Sequence, residues 1–299
     1  MKYNKPAISI NDQIGKLRAR GLRVDNPEEA AVYLSNISYY RLRAYTYPYQ
    51  DNAVADHPFI GEVSFGDIIA LYTFDRKLRL LVFDAIEKIE IAFRTRIIYE
   101  WAMQYGSHWH TRPELFRNPI YFAKNFASLE KEIRRANETF LEHYQQKYDE
   151  PATPPAWMSL EVASLGLLSM MFKNLKRSKQ KKEVARHFGL LDVELLENWM
   201  QSFTDIRNIC AHHARLWNRR LSTRINLPRS PVHAFIVDHQ TYRYKFYPAL
   251  CAMVYLIRII NPTSTFQKQL MDHMGTCPKA QLKEMGFPDH WLNDNFWRN

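Results

Sequence analysis

Arg207 and His212, an arginine and a histidine five positions apart, have the side chains best suited to chemistry on a phosphate diester. Histidine titrates near neutral pH, so it can accept the proton of a ribose 2′-hydroxyl or protonate a leaving 5′-oxygen. Arginine stays charged and binds two phosphate oxygens at once, which suits the transition state. Asn208 follows the arginine and is predicted to orient both groups. Residues of these types are compatible with cleavage of a phosphate diester without a metal ion.

A single histidine per chain is too few for a separate acid and base. Two chains related by a twofold axis would supply two arginines and two histidines, and such dimers are the commonest assembly. On an ideal helix Arg207 and His212 point about 140° apart, whereas Asn208 and His212 share a face. His213 is the alternative histidine. The alternative is a purely structural role, in which the histidine is a hydrogen-bonded core residue and the arginine is its ion-pairing neighbour.

The spacing alone is weak, because a chain of this composition holds about one such arginine–histidine pair by chance. The surrounding string RNICAHHARLWNR, residues 207–219, is far more specific. It resembles the HEPN ribonuclease motif and, more narrowly, bacterial abortive-infection proteins of the AbiD and AbiF kind. Residues 21–45 and 83–97 resemble the same family in the same order. The resemblance covers about residues 6–260.

This resemblance implies an endoribonuclease toxin of anti-phage defence, with a composite active site shared by a homodimer. It also makes a small non-coding RNA plausible as a regulator of the toxin. Two other classes stay open: an RNA-binding defence or regulatory protein that does not cut, and a helical scaffold that acts through protein contacts alone.

Several further residues are candidates for support or for RNA binding. Glu90 and Arg94 are spaced for an ion pair within a helix and are possible supporting residues, although most such pairs are surface pairs of little energy. A basic run at residues 173–187 is either an RNA-backbone contact or a solvated connector. A tyrosine- and arginine-rich segment, residues 36–50, is suited to base stacking or to packing on the next helix. The RNA-binding candidates are Lys176, Arg177, Lys179, Lys181, Lys182, Tyr39, Tyr40, Arg41 and Arg43.

Other chemistry has little support. His108 and His110 lack the spacing and the neighbouring cysteines of a zinc site, so no metal is expected, and no cofactor-binding motif is visible. The three cysteines form no C-x-x-C pair, which favours a reducing cytoplasm over a disulfide framework. The polar first residues predict neither a secretory nor a transit signal, and no stretch is expected to cross a membrane. The net charge of +10 favours polyanionic partners.

The elements that must position these residues are predicted to be helices, because apolar residues recur every three or four positions and glycines number only nine. We expect an all-α, HEPN-type helical bundle with an additional N-terminal helical unit. The predicted domains are 1–60, 61–262 and a C-terminal helical extension, 263–299. Helices are predicted after caps at Ser9, Asn26 and Ser64, from about residue 192 onward, and over residues 122–148, 160–175 and 246–260, with a break at 151–158.

Overall fold

The structure, a computed structural model, describes residue 2 and residues 6–236 and 244–298. Within these ranges the chain is helical and contains only isolated β-bridges, with no strand or sheet, which confirms the all-α prediction. The helices are α1 (Ile10–Ala19), α2 (Pro27–Ile37), α3 (Tyr39–Thr46), α4 (Phe65–Tyr105), α5 (Pro119–Arg135), α6 (Thr139–Lys147), α7 (Ala156–Ser159), α8 (Leu165–Asn174), α9 (Lys179–His187), α10 (Val193–Ala211), α11 (Phe246–Ile260), α12 (Phe266–Gly275), α13 (Lys279–Glu284) and α14 (Asn295–Arg298).

The chain forms two compact units, Met1–Leu78 and Arg79–Asn299. The division falls within α4, so this helix contributes to both. The predicted domain boundaries after residues 60 and 262 stay predictions, since compactness alone does not show which segments fold independently.

The predicted helix starts are confirmed by their caps. Ser9 and Asp12 form a reciprocal capping box, in which the Asp12 amide donates to Ser9 Oγ at 3.1 Å. Asn26 accepts from the Glu29 amide at 3.1 Å and so caps α2. These side chains satisfy amide groups that the first helical turn leaves without partners.

Helix α4, 41 residues long, also begins at its predicted cap. The Asp67 amide donates to Ser64 Oγ at 3.2 Å, and the Ser64 amide donates to Asp67 Oδ2 at 2.8 Å. The hydrogen bonds from Ser64 lower the pKa of Asp67 below its usual value. The helix ends before Gly106, whose φ of +83° lies in the region that glycine adopts without strain.

Two predicted helices differ from the structure. Residues 122–148 form two helices, α5 and α6, because Ala136 and Glu138 adopt extended backbone conformations between them. The helix predicted over 160–175 begins only after Ser164. The Ser164 amide donates to Glu132 Oε2 at 2.8 Å, a contact from a distant helix that no local pattern reveals.

The core of the second unit lies around α10 and α11. From Phe246 to Ile257 every residue of α11 is buried, as its apolar sequence predicts. Helix α10 contacts α8, α9 and α11. Among the described helices, none combines the length and the apolar character that a membrane crossing requires.

The C-terminal extension is fastened to α11, a role that its sequence did not reveal. Trp297 Nε1 donates to Tyr247 Oη at 3.0 Å, and Arg258 Nε donates to Gln267 Oε1 at 2.8 Å. The Arg258 guanidinium lies 4.5 Å from the centroid of the Phe296 ring. Burial raises the pKa of Tyr247, so its hydroxyl stays protonated. The extension is therefore an integral part of the second unit.

We expect Trp297→Ala to lower the free energy of unfolding by about 3–5 kcal/mol, because it removes a large buried ring and leaves a cavity. The neighbouring Arg298 is exposed, so Arg298→Ala should change stability by less than about 0.5 kcal/mol. Urea unfolding followed by circular dichroism measures both. Equal stability of the two variants would show that the extension is only loosely attached.

Candidate active site

Helix α10 carries the candidate residues and is held by one buried face. Asp192 caps its start by accepting from the Glu194 amide at 2.9 Å. The buried face consists of apolar residues at helical spacing: Leu196, Trp199, Phe203, Ile206 and Cys210. The position of this face in the core determines which way the remaining residues of α10 point.

Helix α10 ends at Ala211, inside the motif of residues 207–219. His213 has a φ of +53°, in the left-handed region, and its amide donates to the Cys210 carbonyl at 3.0 Å. The Ala214 amide donates to the Ile209 carbonyl, also at 3.0 Å. This pair of hydrogen bonds is the Schellman arrangement that ends many helices, here with histidine where glycine is usual. His212 is therefore the C-cap residue, at which helix α10 ends.

The three principal candidates occupy different surroundings. Asn208 and His212 are exposed, and the His212 amide donates to the Asn208 carbonyl at 3.0 Å. Arg207 is half-buried, and its guanidinium carbon lies 5.7 Å from the centroid of the Phe83 ring on α4. This distance is within the range of a cation–π contact, which holds Arg207 toward α4. Asn208 and His212 face solvent together; Arg207 points to another side. His213, the alternative histidine, is also exposed.

Glu90 and Arg94 form the predicted ion pair, at 2.9 Å, but not on the surface. Their side chains are only 17% and 10% exposed, respectively. Arg94 also donates to the Ala163 carbonyl at 3.0 Å and approaches Glu161 at 3.8 Å. The pair therefore fastens α4 to the segment before α8. A supporting role for it at the site stays a prediction.

The basic run forms a loop followed by the short helix α9, as predicted. Four of its five RNA-binding candidates are exposed, namely Lys176, Arg177, Lys179 and Lys182. Arg177 pairs with Glu194 at the start of α10.

Lys181 requires a correction, because it is only 2% exposed and does not contribute to a surface for RNA. Its ammonium pairs with Glu197 at 2.7 Å, donates to the Leu175 carbonyl at 3.0 Å and lies 5.0 Å from the centre of the Phe172 ring. Burial lowers the pKa of Lys181, and Glu197 opposes that shift.

The tyrosine-rich segment, residues 36–50, has both buried and exposed members. Tyr45 is buried and donates to Asp75 Oδ2 at 2.6 Å, which is packing. Tyr39 is half-buried and accepts from Arg20 at 3.1 Å. Tyr40 is 85% exposed, and both Arg41 and Arg43 are exposed as well. Base stacking therefore stays a prediction for Tyr40 and its arginine neighbours.

The sequence reasoning missed a segment that lies along α10, residues 218–226, which we call the strap. Asp205 Oδ2 accepts from Ser222 Oγ at 2.6 Å and from Thr223 Oγ1 at 2.7 Å. Asn198 donates to the Arg224 carbonyl at 2.9 Å and accepts from the Asn226 amide at 2.8 Å. The signal in the sequence was the row Asn198, Asp205 and His212, which recurs every seven residues and shares one side of the helix.

His108 and His110 lie between α4 and α5, with their ring centroids 6.2 Å apart. His110 is fully buried, and neither ring nitrogen makes a well-formed hydrogen bond with a described residue. Burial and the neighbouring His108 lower the pKa of His110 to about 4, although the Pro154 backbone opposes the shift. The ring is therefore neutral at physiological pH.

Comparison with family models matches residues 32–218 to the family described as Abi-like protein. The match covers more than half of the chain, so the protein belongs to the Abi-like family. The resemblance to abortive-infection proteins is thereby confirmed, and the HEPN motif stays a prediction. This family is linked to abortive infection, which gives the protein a role in that defence. The matched region contains Glu90, Arg94 and the whole end of α10. Comparisons with curated proteins and with solved structures gave no significant match.

Lys181→Met should lower the free energy of unfolding by about 3–5 kcal/mol, because Glu197 would be left as a buried charge without its partner. Lys182→Met is the matched control, since Lys182 is exposed and its loss should cost less than about 0.5 kcal/mol. Chemical denaturation compares the two variants. Similar losses would contradict the structural role of Lys181.

The stability of the protein should fall as the pH is lowered from about 6.5 to about 4. The unfolded chain binds a proton at His110 more readily than the folded chain, so acid favours unfolding over that window by up to about 3 kcal/mol. In His110→Gln the free energy of unfolding should fall less over this pH window than in the wild type. In His143→Gln, which replaces an exposed histidine, it should fall as in the wild type. Unfolding free energies measured across the window test this, and parallel curves for wild type and His110→Gln would refute it.

Proposed function

We propose that this Abi-like protein is a metal-independent HEPN endoribonuclease whose active site combines Arg207, Asn208 and His212 from two copies of the chain. The observation that carries the proposal is the end of α10. There the helix stops at Ala211 and leaves Asn208 and His212 exposed side by side, with Arg207 anchored nearby on Phe83. Exposed polar groups at the end of a rigid helix can meet a polynucleotide without displacing the core.

The chemistry requires two proton transfers. One His212 removes the proton of the ribose 2′-hydroxyl, and the 2′-oxygen attacks phosphorus. The bond to the 5′-oxygen breaks, and the second His212 protonates that leaving oxygen. The products end in a 2′,3′-cyclic phosphate and a 5′-hydroxyl. Arg207 stabilises the charge on the phosphorane-like transition state, and Asn208 orients the reacting groups.

A second copy of the chain is needed for two reasons. One chain carries a single histidine at this position, whereas the reaction uses an acid and a base. Within one chain, Arg207 is held toward α4 while His212 faces solvent at the helix end. A twofold axis near the end of α10 brings an arginine of one chain within reach of a histidine of the other.

The family's link to abortive infection supports a toxin role in the cytoplasm, where cleavage of RNA would halt an infected cell. A small non-coding RNA is a plausible restraint on such a toxin, since the exposed basic residues suit an RNA partner.

A second candidate function is an RNA-binding defence protein that does not cut. The exposed side chains of Tyr40, Arg41 and Arg43 favour it, because aromatic and arginine side chains can bind RNA whether or not a cleavage site is assembled. The two candidates differ in whether RNA is cleaved after it is bound.

We expect purified protein to cut labelled single-stranded RNA in the presence of EDTA. Arg207→Ala and His212→Ala should each lower the cleavage rate by at least about 100-fold, the usual contribution of such groups. His213→Asn keeps a residue that tolerates the left-handed turn, and His143→Ala replaces an exposed histidine far from the motif in the sequence; both should cut at nearly the wild-type rate.

Cleavage by Arg207→Ala and His212→Ala at the wild-type rate would overturn the proposal. If every variant and the wild type bind RNA without cutting it, the binding protein is the better description. A loss in His213→Asn while His212→Ala still cuts would move the catalytic histidine by one position.

A further inference from the structure

The strap runs back along α10 from the candidate active site. Ser222 and Thr223 bind Asp205, seven residues before His212, and Arg224 lies against Asn198, fourteen residues before it. At 1.5 Å per residue these points lie about 10 and 21 Å from His212 along the helix axis. The strap therefore follows α10 for most of its length.

Three arginines of the strap project into solvent, namely Arg219, Arg220 and Arg224. The acids on this side of α10 are already engaged: Glu194 by Arg177, Glu197 by Lys181 and Asp205 by the two strap hydroxyls. Within the described ranges no carboxylate forms an ion pair with any of the three arginines. Their positive charge is therefore presented to solvent.

Arg220 has an additional contact that holds its side chain. Its guanidinium carbon lies 4.3 Å from the centroid of the Tyr244 ring, and the Leu221 amide donates to the Tyr244 carbonyl at 2.8 Å. A guanidinium stacked on a ring keeps its second planar face open, and that face can stack on an unpaired base. A stiff stacked pair loses less conformational freedom on binding than a mobile arginine.

We propose that the strap is a binding track for single-stranded RNA, in which Arg219, Arg220 and Arg224 bind successive phosphates of the strand leading away from His212. The inference rests on the proposed function for the identity of the ligand, and its test by binding does not require cleavage. Single-stranded RNA fits because arginine pairs with phosphates along the backbone and the Arg220–Tyr244 stack receives an exposed base. At its far end the track reaches the start of α10, where Arg177 is located.

The test uses the full chain carrying His212→Ala, so that RNA is bound but not cut, and measures affinity for a fluorescent single-stranded oligonucleotide across a salt series. Replacement of the three strap arginines by glutamine should reduce the slope of log affinity against log salt by about 2, since each phosphate contact contributes about 0.7. A slope that is smaller by 2 corresponds to about 100-fold weaker binding at 0.1 M salt, provided that the parent and the variant bind RNA equally at about 1 M salt.

A matched control removes equal charge elsewhere. Lys124, Lys131 and Arg135 are exposed on α5, and their replacement by glutamine should leave the salt slope near that of the parent. Replacement of the strap arginines by lysine should keep the slope, because the charge remains, yet weaken binding through loss of the Arg220 stack. Melting temperatures measured for each variant establish that folding is intact.

An unchanged slope in the folded strap variant, or an equal loss in the α5 control, would overturn the track. If the triple variant does not fold, Arg219→Gln alone, which alters neither the Tyr244 stack nor the Asp205 contacts, should reduce the slope by about 0.7. Failure of the proposed function is a separate result. If the wild type binds RNA through the strap but never cuts it, the proposal of a binding track is supported and the proposal of a nuclease is rejected.

Discussion

The backbone turn at His213 determines the geometry of the whole candidate site. Because this residue adopts a left-handed conformation, α10 stops at Ala211, and His212 is placed at the helix end with Asn208 one turn before it. The buried face of α10 fixes the rotation of the helix, and Phe83 fixes the side chain of Arg207. The chain after the turn returns along the same helix and is bound to it through Asp205 and Asn198. A site of few residues is thereby supported by contacts on several sides.

Much of the fold could be predicted from the sequence because its signals are local. Ser9, Asn26 and Ser64 all cap helices as predicted, since a capping side chain contacts amide groups only two or three residues away. The apolar sequence of α11 predicted a buried helix with the observed bounds. The resemblance to abortive-infection proteins was recognisable because an unusual string of residues, rather than a spacing alone, carries it. The Abi-like family assignment agrees with that recognition.

The errors arose where distant contacts determine the structure. Lys181 was one of many lysines in a basic run, and only its contact with Glu197 on another helix shows that it is buried. The break between α5 and α6 carries no proline or glycine, so apolar periodicity continued through it. The arginines of the strap contribute to the net charge, but the net charge does not show where they lie. The path of the strap depends on hydrogen bonds to residues of α10 that are some 20 positions earlier in the sequence. The end of α10 was missed because histidine takes the position that glycine usually marks.

The central claim is that each active site takes one histidine from each of two chains, and subunit mixing tests it most directly. Wild type and His212→Ala are mixed at a fixed total concentration, allowed to exchange subunits, and assayed for RNA cleavage. If both histidines are needed, only wild-type pairs are active, so activity follows the square of the wild-type fraction and an equal mixture retains about a quarter. Activity that falls in direct proportion to the wild-type fraction would show a complete site within one chain and contradict the account.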